Sequence, residues 1–251
     1  MTQKNQIKTA MILAAGYGSR LRHLTKKKPK SLLKIDGYTL LDIQIHKLKK
    51  IGIKRIIINL HYYGKIIKDH LDQNPPSDIE ILYSEESEIL GTGGGIAKAE
   101  HLFQDETIIV VNSDIISDLL LQDFLAFYEN NKSISVITVW PSRNYHDYAL
   151  VRYNDKKELV GFLLKEMKPD PGELTGIFMG YYILTPEARG FLKPEFSSVV
   201  NDFFQNALRE KKKINIYLHQ GSWIDIGTQE NYSYATRIIS EGKIVIDKLL
   251  R

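Results

Sequence analysis

The 251 residues contain no cysteine. Disulfides, thiolate catalysis and cysteine-ligated zinc are excluded with it. No apolar stretch is long enough to cross a bilayer, and the run after the polar N-terminus is too short for a secretory h-region followed by a cleavage site. The expected compartment is the cytoplasm, and no membrane partner is expected. Neither sign of charge dominates: 34 basic residues face 30 acidic ones, a net charge of +4. The lysines at 26–28, 49–50 and 211–213 read as solvated helix ends and loops. No zinc finger or RNA-recognition module accompanies them, so no nucleic-acid partner is expected. Low-complexity linkers and internal repeats are absent. So are three catalytic signatures. No Gly-Lys-Ser/Thr follows the first glycine loop, which is therefore not a Walker A loop. Leu21 stands where a dinucleotide fingerprint needs glycine. Without a Gly-X-Ser-X-Gly there is no hydrolase nucleophile elbow.

What is present is an alternation of apolar runs with helical patterns, which predicts an α/β fold with a largely parallel sheet. Strands are expected at about 9–14, 55–60, 79–83, 107–111 and 134–140, with helices at 40–51, 64–71, 91–101 and 119–128. After Pro141 the pattern changes to a hairpin around Asn154-Asp155, a strand at 177–184, a helix at 199–210, a strand at 214–219 and a helix at 229–239. Residues 1 to about 140 read as a nucleotide-binding half and about 141–251 as an acceptor-binding half. The two are expected to share one sheet in a single domain.

The most informative segment is Leu13-Ala14-Ala15-Gly16-Tyr17-Gly18-Ser19-Arg20, with Pro29-Lys30 ten residues on. An apolar strand feeding a Gly-X-Gly loop lets backbone N–H groups approach a bulky anion. Arg20 offers a fork of donors to phosphate oxygens and Lys30 a point charge. Asp114 follows a fully apolar strand, at the carboxyl edge where open α/β sheets bind ligands. Asp225 lies in the apolar-flanked Trp223-Ile224-Asp225-Ile226-Gly227-Thr228. Each aspartate alone reads equally as a turn or helix cap; together they suit Mg²⁺, which takes one or two carboxylates plus phosphate oxygens. Gly91-Thr92-Gly93-Gly94-Gly95 holds three consecutive glycines, costly in chain entropy unless something approaches the backbone. A flat nucleobase is one such reason and a flexible loop is the other reading. Asn59 and His61 end the second strand within reach of a ligand there, or form a satisfied strand-end pair.

In combination these segments resemble the sugar-1-phosphate nucleotidylyltransferases. The opening signature stands as Leu13 to Leu21 with Leu24-Thr25 and Pro29-Lys30, and His23 and Ser31 occupy positions where proline is usual. The match continues through Lys34-Ile35-Asp36-Gly37, Gly91 to Ile96, Val111 to Asp114 and Trp223 to Thr228, so it spans nearly the whole chain. The Thr-Gly-Gly-Gly-Ile form resembles compact bacterial mannose-1-phosphate guanylyltransferases and N-acetylmuramate-1-phosphate uridylyltransferases. A C-terminal left-handed β-helix, and the acetyltransferase activity that goes with it, are not expected.

The resemblance implies a Rossmann-like, GT-A type mixed sheet, mostly parallel and flanked by helices. It implies transfer of a nucleotidyl group from an NTP to a sugar-1-phosphate, with Mg²⁺ on Asp114 and Asp225 and pyrophosphate leaving. Arg20 and Lys30 would then be catalytic. Leu13, Ala14, Ala15, Gly16, Gly18, Ser19, Asn59, Gly91, Thr92, Gly93 and Gly94 would bind the nucleotide. Asn112, Glu166, Lys168 and Gly180 would bind the acceptor. Met167 and Met179 stand where the family has a glutamate and a threonine lining the sugar site, with Glu166 adjacent. That departure, with Lys30-Ser31-Leu32-Leu33, allows a cytidylyltransferase for a non-sugar phosphate such as phosphocholine, and a non-catalytic nucleotide-sugar sensor is a second alternative. A monomer or homodimer is expected.

Overall fold

Strands whose residues are apolar without alternation need both faces covered, and the computed structural model, which describes residues 7–144 and 146–246, supplies both covers. The chain runs β1 (Thr9–Leu13), a short hairpin of β2 (Lys34–Ile35) and β3 (Tyr38–Thr39), α1 (Leu40–Lys50), β4 (Arg55–Leu60), α2 (Gly64–Gln73), β5 (Glu80–Glu85) and α3 (Gly91–Lys98). It continues with β6 (Ile108–Asn112), β7 (Ile115–Ser117), α4 (Leu121–Asn130), β8 (Ser135–Pro141), β9 (Leu150–Tyr153), β10 (Leu159–Leu163), β11 (Thr175–Leu184) and α5 (Pro186–Arg189). It closes with α6 (Gln205–Arg209), β12 (Ile214–Leu218), β13 (Trp223–Asp225) and α7 (Gln229–Ser240).

Among the described residues, nine strands form one mixed sheet. Strands β5, β4, β1 and β6 are parallel neighbours in that order. β11 joins β6 antiparallel, Tyr181 opposite Val111, and carries β9, β10 and β8 beyond it, with β12 parallel to β8. The expected α/β class and mixed sheet are therefore observed, and the sheet runs through both halves of the chain.

The two faces sort alternate residues. Ala10, Ile12, Ile56, Ile58, Ile109 and Val111 pack in one core with Leu41, Ile45, Leu48 and Phe124 of α1 and α4. Met11, Ile57, Ile108 and Val110 pack in the other with Ile96 of α3 and Ala207 of α6. A third cluster joins Leu21, Leu33, Ile43, Ile116, Ile224 and Ile226 to Ala235 and Ile239 of α7. Helix α1 starts where a reciprocal capping box places it: Asp42 N donates to Thr39 Oγ1 and Thr39 N to the Asp42 carboxylate.

One local expectation changes, and two short strands are added. The helix expected over 199–210 opens as a turn of π-helix over Val199–Phe204 before α6. The wider turn suits the spacing of its buried residues, Val199, Phe203 and Phe204, four and five apart. β7 and β13, three residues each, are too short for periodicity to reveal.

Candidate active site

The strand register sets the site. Leu13 of β1 lies opposite Asn59 of β4 on one side and Asn112 of β6 on the other. Beyond that row the chain leaves the sheet as the Gly-X-Gly loop. Gly18 has φ +63°, and a Cβ there would lie 3.2 Å from Lys30 Cβ and 3.1 Å from Thr25 Cγ2. Glycine is thus what lets Lys30 pack under the loop. Gly16 has open space at its Cβ position and keeps room for a ligand.

Asn59 is engaged at both ends of its amide: Ala14 N donates to its Oδ1 at 2.8 Å, and its Nδ2 donates to Glu86 Oε1 at 2.7 Å. Glu86 in turn accepts from Leu90 N at 2.9 Å. The pair therefore fixes the exit of β1 against the start of α3. His61 Nδ1 donates to the Glu86 carbonyl at 2.9 Å, which leaves Nε2 as the acceptor of the Tyr17 hydroxyl at 3.1 Å. His61 thus tethers the loop tip.

Two adjoining cavities open at these carboxyl ends. One, about 310 Å³, is lined by the loop from Gly16 to Arg20 with Lys30, Ser31, Asp114 and Gly227. The other, about 270 Å³, is lined by Ala15, Gly16, Asn59, Ile89, Gly91, Thr92 and Asn112. Leu13, Gly16 and Asp114 border both. Larger hollows of about 500 and 440 Å³ open beside Ile7, ahead of β1. Ligands of open α/β sheets bind at the carboxyl ends of strands, so the smaller pair is the candidate site.

Charge concentrates there. Lys30 Nζ forms an ion pair with Asp114 and lies 4.0 Å from Asp225 Oδ1. A short antiparallel ladder, Asp225 opposite Ile115, brings the two aspartates together, and Ile226 N donates to the Asp114 carbonyl at 2.8 Å. A Cβ at Gly227 would lie 2.8 Å from Asp225 Oδ2 and 3.0 Å from an Arg20 guanidinium nitrogen, so those side chains meet over that glycine. Burial, then the Asp114 charge, pushes the Asp225 carboxyl up to about 6 against the pull of Lys30 and Arg20. Among the described residues no three acidic or histidine side chains form a metal cluster. The Asp114–Asp225 pair is nonetheless the donor set Mg²⁺ takes when phosphate oxygens and water complete its shell.

Of the residues expected at the site, Leu13, Ala14, Ala15, Gly16, Gly18, Ser19, Arg20, Lys30, Asn59, Gly91, Thr92, Asn112 and Asp114 line the two cavities. Asp225 is joined to them by its ion-pair geometry. Gly180 has φ +85° and a Cβ there would lie 2.7 Å from Asn112 Nδ2, so it faces Asn112 across the β6–β11 seam. The run from Gly93 to Gly95 has a reason other than a nucleobase. Added Cβ atoms would strike Ser197 Oγ at 2.7 Å, the Glu195 carbonyl at 2.0 Å and Glu86 Oε1 at 2.7 Å. These glycines admit the 195–198 segment and Glu86 against α3. Glu166 and Lys168 lie exposed in the connection after β10 and line neither cavity.

Other contributors escaped sequence reasoning. Gln44 Nε2 donates to the Ile115 carbonyl and Lys47 Nζ to the Ser117 carbonyl, both at 2.7 Å. α1 thereby grips β7 immediately after Asp114. Their signal was legible, since Gln44 borders the apolar face of Leu41, Ile45 and Leu48, and Lys47 falls between Leu40 and Ile43 on the adjoining buried side of the helix. Tyr148 is half-buried beside Asp225; burial first and that carboxylate second raise its hydroxyl above the usual tyrosine value, opposed by an Asn231 hydrogen bond and Arg20. No periodicity marks it.

A family model described as nucleotidyl transferase matches residues 9–242. The chain belongs to that family, as its sugar-1-phosphate nucleotidylyltransferase motifs implied. Among its relatives is the mannose-1-phosphate guanylyltransferase catalytic subunit beta of Dictyostelium discoideum, 31% identical over 226 residues, covering 89% of this chain and 62% of that protein. The crystal structure of HddC from Yersinia pseudotuberculosis superposes with a TM-score of 0.77 at 25% identity, over 92% of this chain and 99% of HddC. A UDP-glucose pyrophosphorylase complexed with UDP-glucose shares the fold, with a TM-score of 0.80 at 22% identity over 94% of this chain and 99% of its own. The chain spans 62% of the length of the first curated relatives it matches. Among the described residues no helix is long and apolar enough to cross a membrane.

Proposed function

We propose that this protein joins an NTP to a sugar-1-phosphate, giving a nucleotide-sugar and pyrophosphate. The observation that carries the reading is the convergence of Arg20, Lys30, Asp114 and Asp225 beside a glycine-rich loop at the carboxyl ends of β1 and β6. A phosphate oxygen of the acceptor attacks the α-phosphorus of the NTP, the bond from that phosphorus to the bridging oxygen breaks, and pyrophosphate leaves with the electron pair. Such a reaction asks the protein for position and charge rather than covalent chemistry.

Arg20 holds the β- and γ-phosphates and so the leaving group. Lys30 offsets charge at the α-phosphate, and the loop from Ala14 to Ser19 frames the polyphosphate with backbone donors. The neighbouring cavity under Gly91 and Thr92 takes the nucleoside, and Asn112 with Gly180 borders the acceptor. Asp114 and Asp225 hold Mg²⁺, which when bound neutralises phosphate charge and polarises the reacting phosphoryl group. The proposed compartment is the cytoplasm.

The named relatives favour mannose-1-phosphate with GTP as the first pair to try, and UTP with glucose-1-phosphate as the second. Pyrophosphate release measured with Mg²⁺ across four NTPs, crossed with sugar-1-phosphates and phosphocholine, tests the proposal. One productive sugar-1-phosphate pair supports it. Turnover with CTP and phosphocholine alone moves the acceptor class. Nucleotide binding with no turnover favours a sensor.

A further inference from the structure

One hydroxyl at the phosphate-side cavity has no partner in the folded chain. Ser31 is 1% exposed, and its Oγ is buried without a hydrogen bond. Burying a hydroxyl that way is costly, and native proteins satisfy nearly all such groups, so each exception asks for a reason. Among the described residues three side-chain oxygens share this state: Ser31 Oγ, Tyr182 OH and Ser197 Oγ. Tyr182 lies in the core beneath α3 and α6, and Ser197 packs on the α3 glycines. Of the three, Ser31 lines the cavity shared by Arg20, Lys30 and Asp114.

Its position is fixed by the backbone. Pro29 is extended, and the chain then closes one turn of 3-10 helix over Lys30–Leu32, with Leu32 N donating to the Pro29 carbonyl at 3.1 Å and Leu33 N to the Lys30 carbonyl at 3.0 Å. The hydroxyl is therefore carried on the same rigid turn as the Lys30 ammonium.

We propose that Ser31 Oγ is a substrate-binding donor, giving a hydrogen bond to a phosphate oxygen of the bound polyphosphate beside Lys30. The proposal rests on the nucleotidyl-transfer reading of the site. A lysine supplies charge with little direction, whereas a fixed hydroxyl supplies direction. Because Ser31 Oγ has no internal hydrogen bond, a phosphate oxygen that reaches it displaces none of the fold's own.

Ser31→Ala removes the hydroxyl and little else. The test compares wild type and variant for thermal unfolding without ligand, for binding of inorganic triphosphate with Mg²⁺, and for kcat/KM with the productive NTP. The variant is expected to unfold at the same temperature or higher, since it loses an unsatisfied group. Its affinity for triphosphate and its kcat/KM for NTP are expected to fall about tenfold or more, the worth of a hydrogen bond to a charged acceptor. KM for the phosphorylated acceptor stays unchanged. Equal triphosphate affinity in the two proteins overturns the proposal. A lowered unfolding temperature, whatever the affinity, marks the hydroxyl as structural and overturns it too. If wild type itself neither binds triphosphate nor releases pyrophosphate, the nucleotidyl-transfer reading fails first, and that failure shows in the wild-type arm.

Discussion

The Lys47 ammonium donates to the Ser117 carbonyl at 2.7 Å, and its charge lies 5.2 Å from the centre of the Tyr181 ring. Gln44, one helical turn earlier, bonds the Ile115 carbonyl and accepts from the Tyr181 hydroxyl at 3.0 Å. The strand so held starts one residue after Asp114 and pairs with the strand that ends in Asp225. Two buried polar side chains of α1 thus hold the strand that follows Asp114 and pairs beside Asp225, without touching either carboxylate.

Lys47→Met keeps the volume and removes both the charge and the donor. Turnover is expected to fall about tenfold through the displaced aspartates, with nucleotide affinity less affected; steady-state kinetics beside direct binding checks the split. Burial pushes the Lys47 ammonium down to about 7, partly offset by Asp118. Between about pH 7 and the ordinary lysine value near 10.5, the unfolded chain binds a proton that the native chain has released. Stability from this group therefore rises with pH across that window. Wild type should gain on Lys47→Met between pH 7 and 10, as read from urea midpoints.

Arg20→Ala should lower pyrophosphate release by about 10²–10³, the scale of losing one donor to transition-state charge. The guanidinium meets Asp225 over Gly227 and anchors no core cluster, so the unfolding midpoint should move little. Near-full turnover in this variant would remove Arg20 from the proposed chemistry.

Asp225→Asn sets function against stability. The ionised side chain is buried against Asp114, so neutralising it relieves like-charge repulsion and desolvation. In metal-free buffer at pH 7.5 the variant should unfold a few degrees higher than wild type while turnover falls at least a hundredfold. Differential scanning calorimetry beside the pyrophosphate assay reads both.

A glycine packed against the 195–198 segment and a glycine of the site should respond differently. At Gly94 a Cβ would lie 2.0 Å from the Glu195 carbonyl, and Gly94→Ala should cost about 1–3 kcal/mol of stability or more. At Gly16 nothing lies within 4 Å, and Gly16→Ala should leave stability within about 0.5 kcal/mol while weakening NTP binding. Urea unfolding with nucleotide titration separates the two.

Much of this was legible in the residues. Apolar runs such as Ile56-Ile57-Ile58 announced strands covered on both faces, and Gly18, Arg20, Lys30 and Asp114 cluster as the motif reading expected. What stayed hidden depends on contacts distant in sequence. Glycines 93–95 read as room for a ligand because the segment at 195–198 that fills that room lies a hundred residues away. The acceptor role that the resemblance gives Lys168 stands apart from both cavities, since the residue lies exposed in the connection after β10. Tyr148 acquires its place through Asp225 and Asn231, a neighbourhood that no local pattern records.

The ladder between β6 and β11 runs unbroken from Ile108 opposite Leu184 to Val111 opposite Tyr181, and Gly180 then faces Asn112. Backbone hydrogen bonds stitch the part of the chain that carries the Gly-X-Gly loop to the part that follows Pro141. A hinge at that seam would have to break the ladder and split a core packed on both sides. The Gly-X-Gly loop, whose tip Tyr17 and His61 tether, leaves the sheet beside that seam, so the cavities are walled by loops and floored by continuous strand pairing.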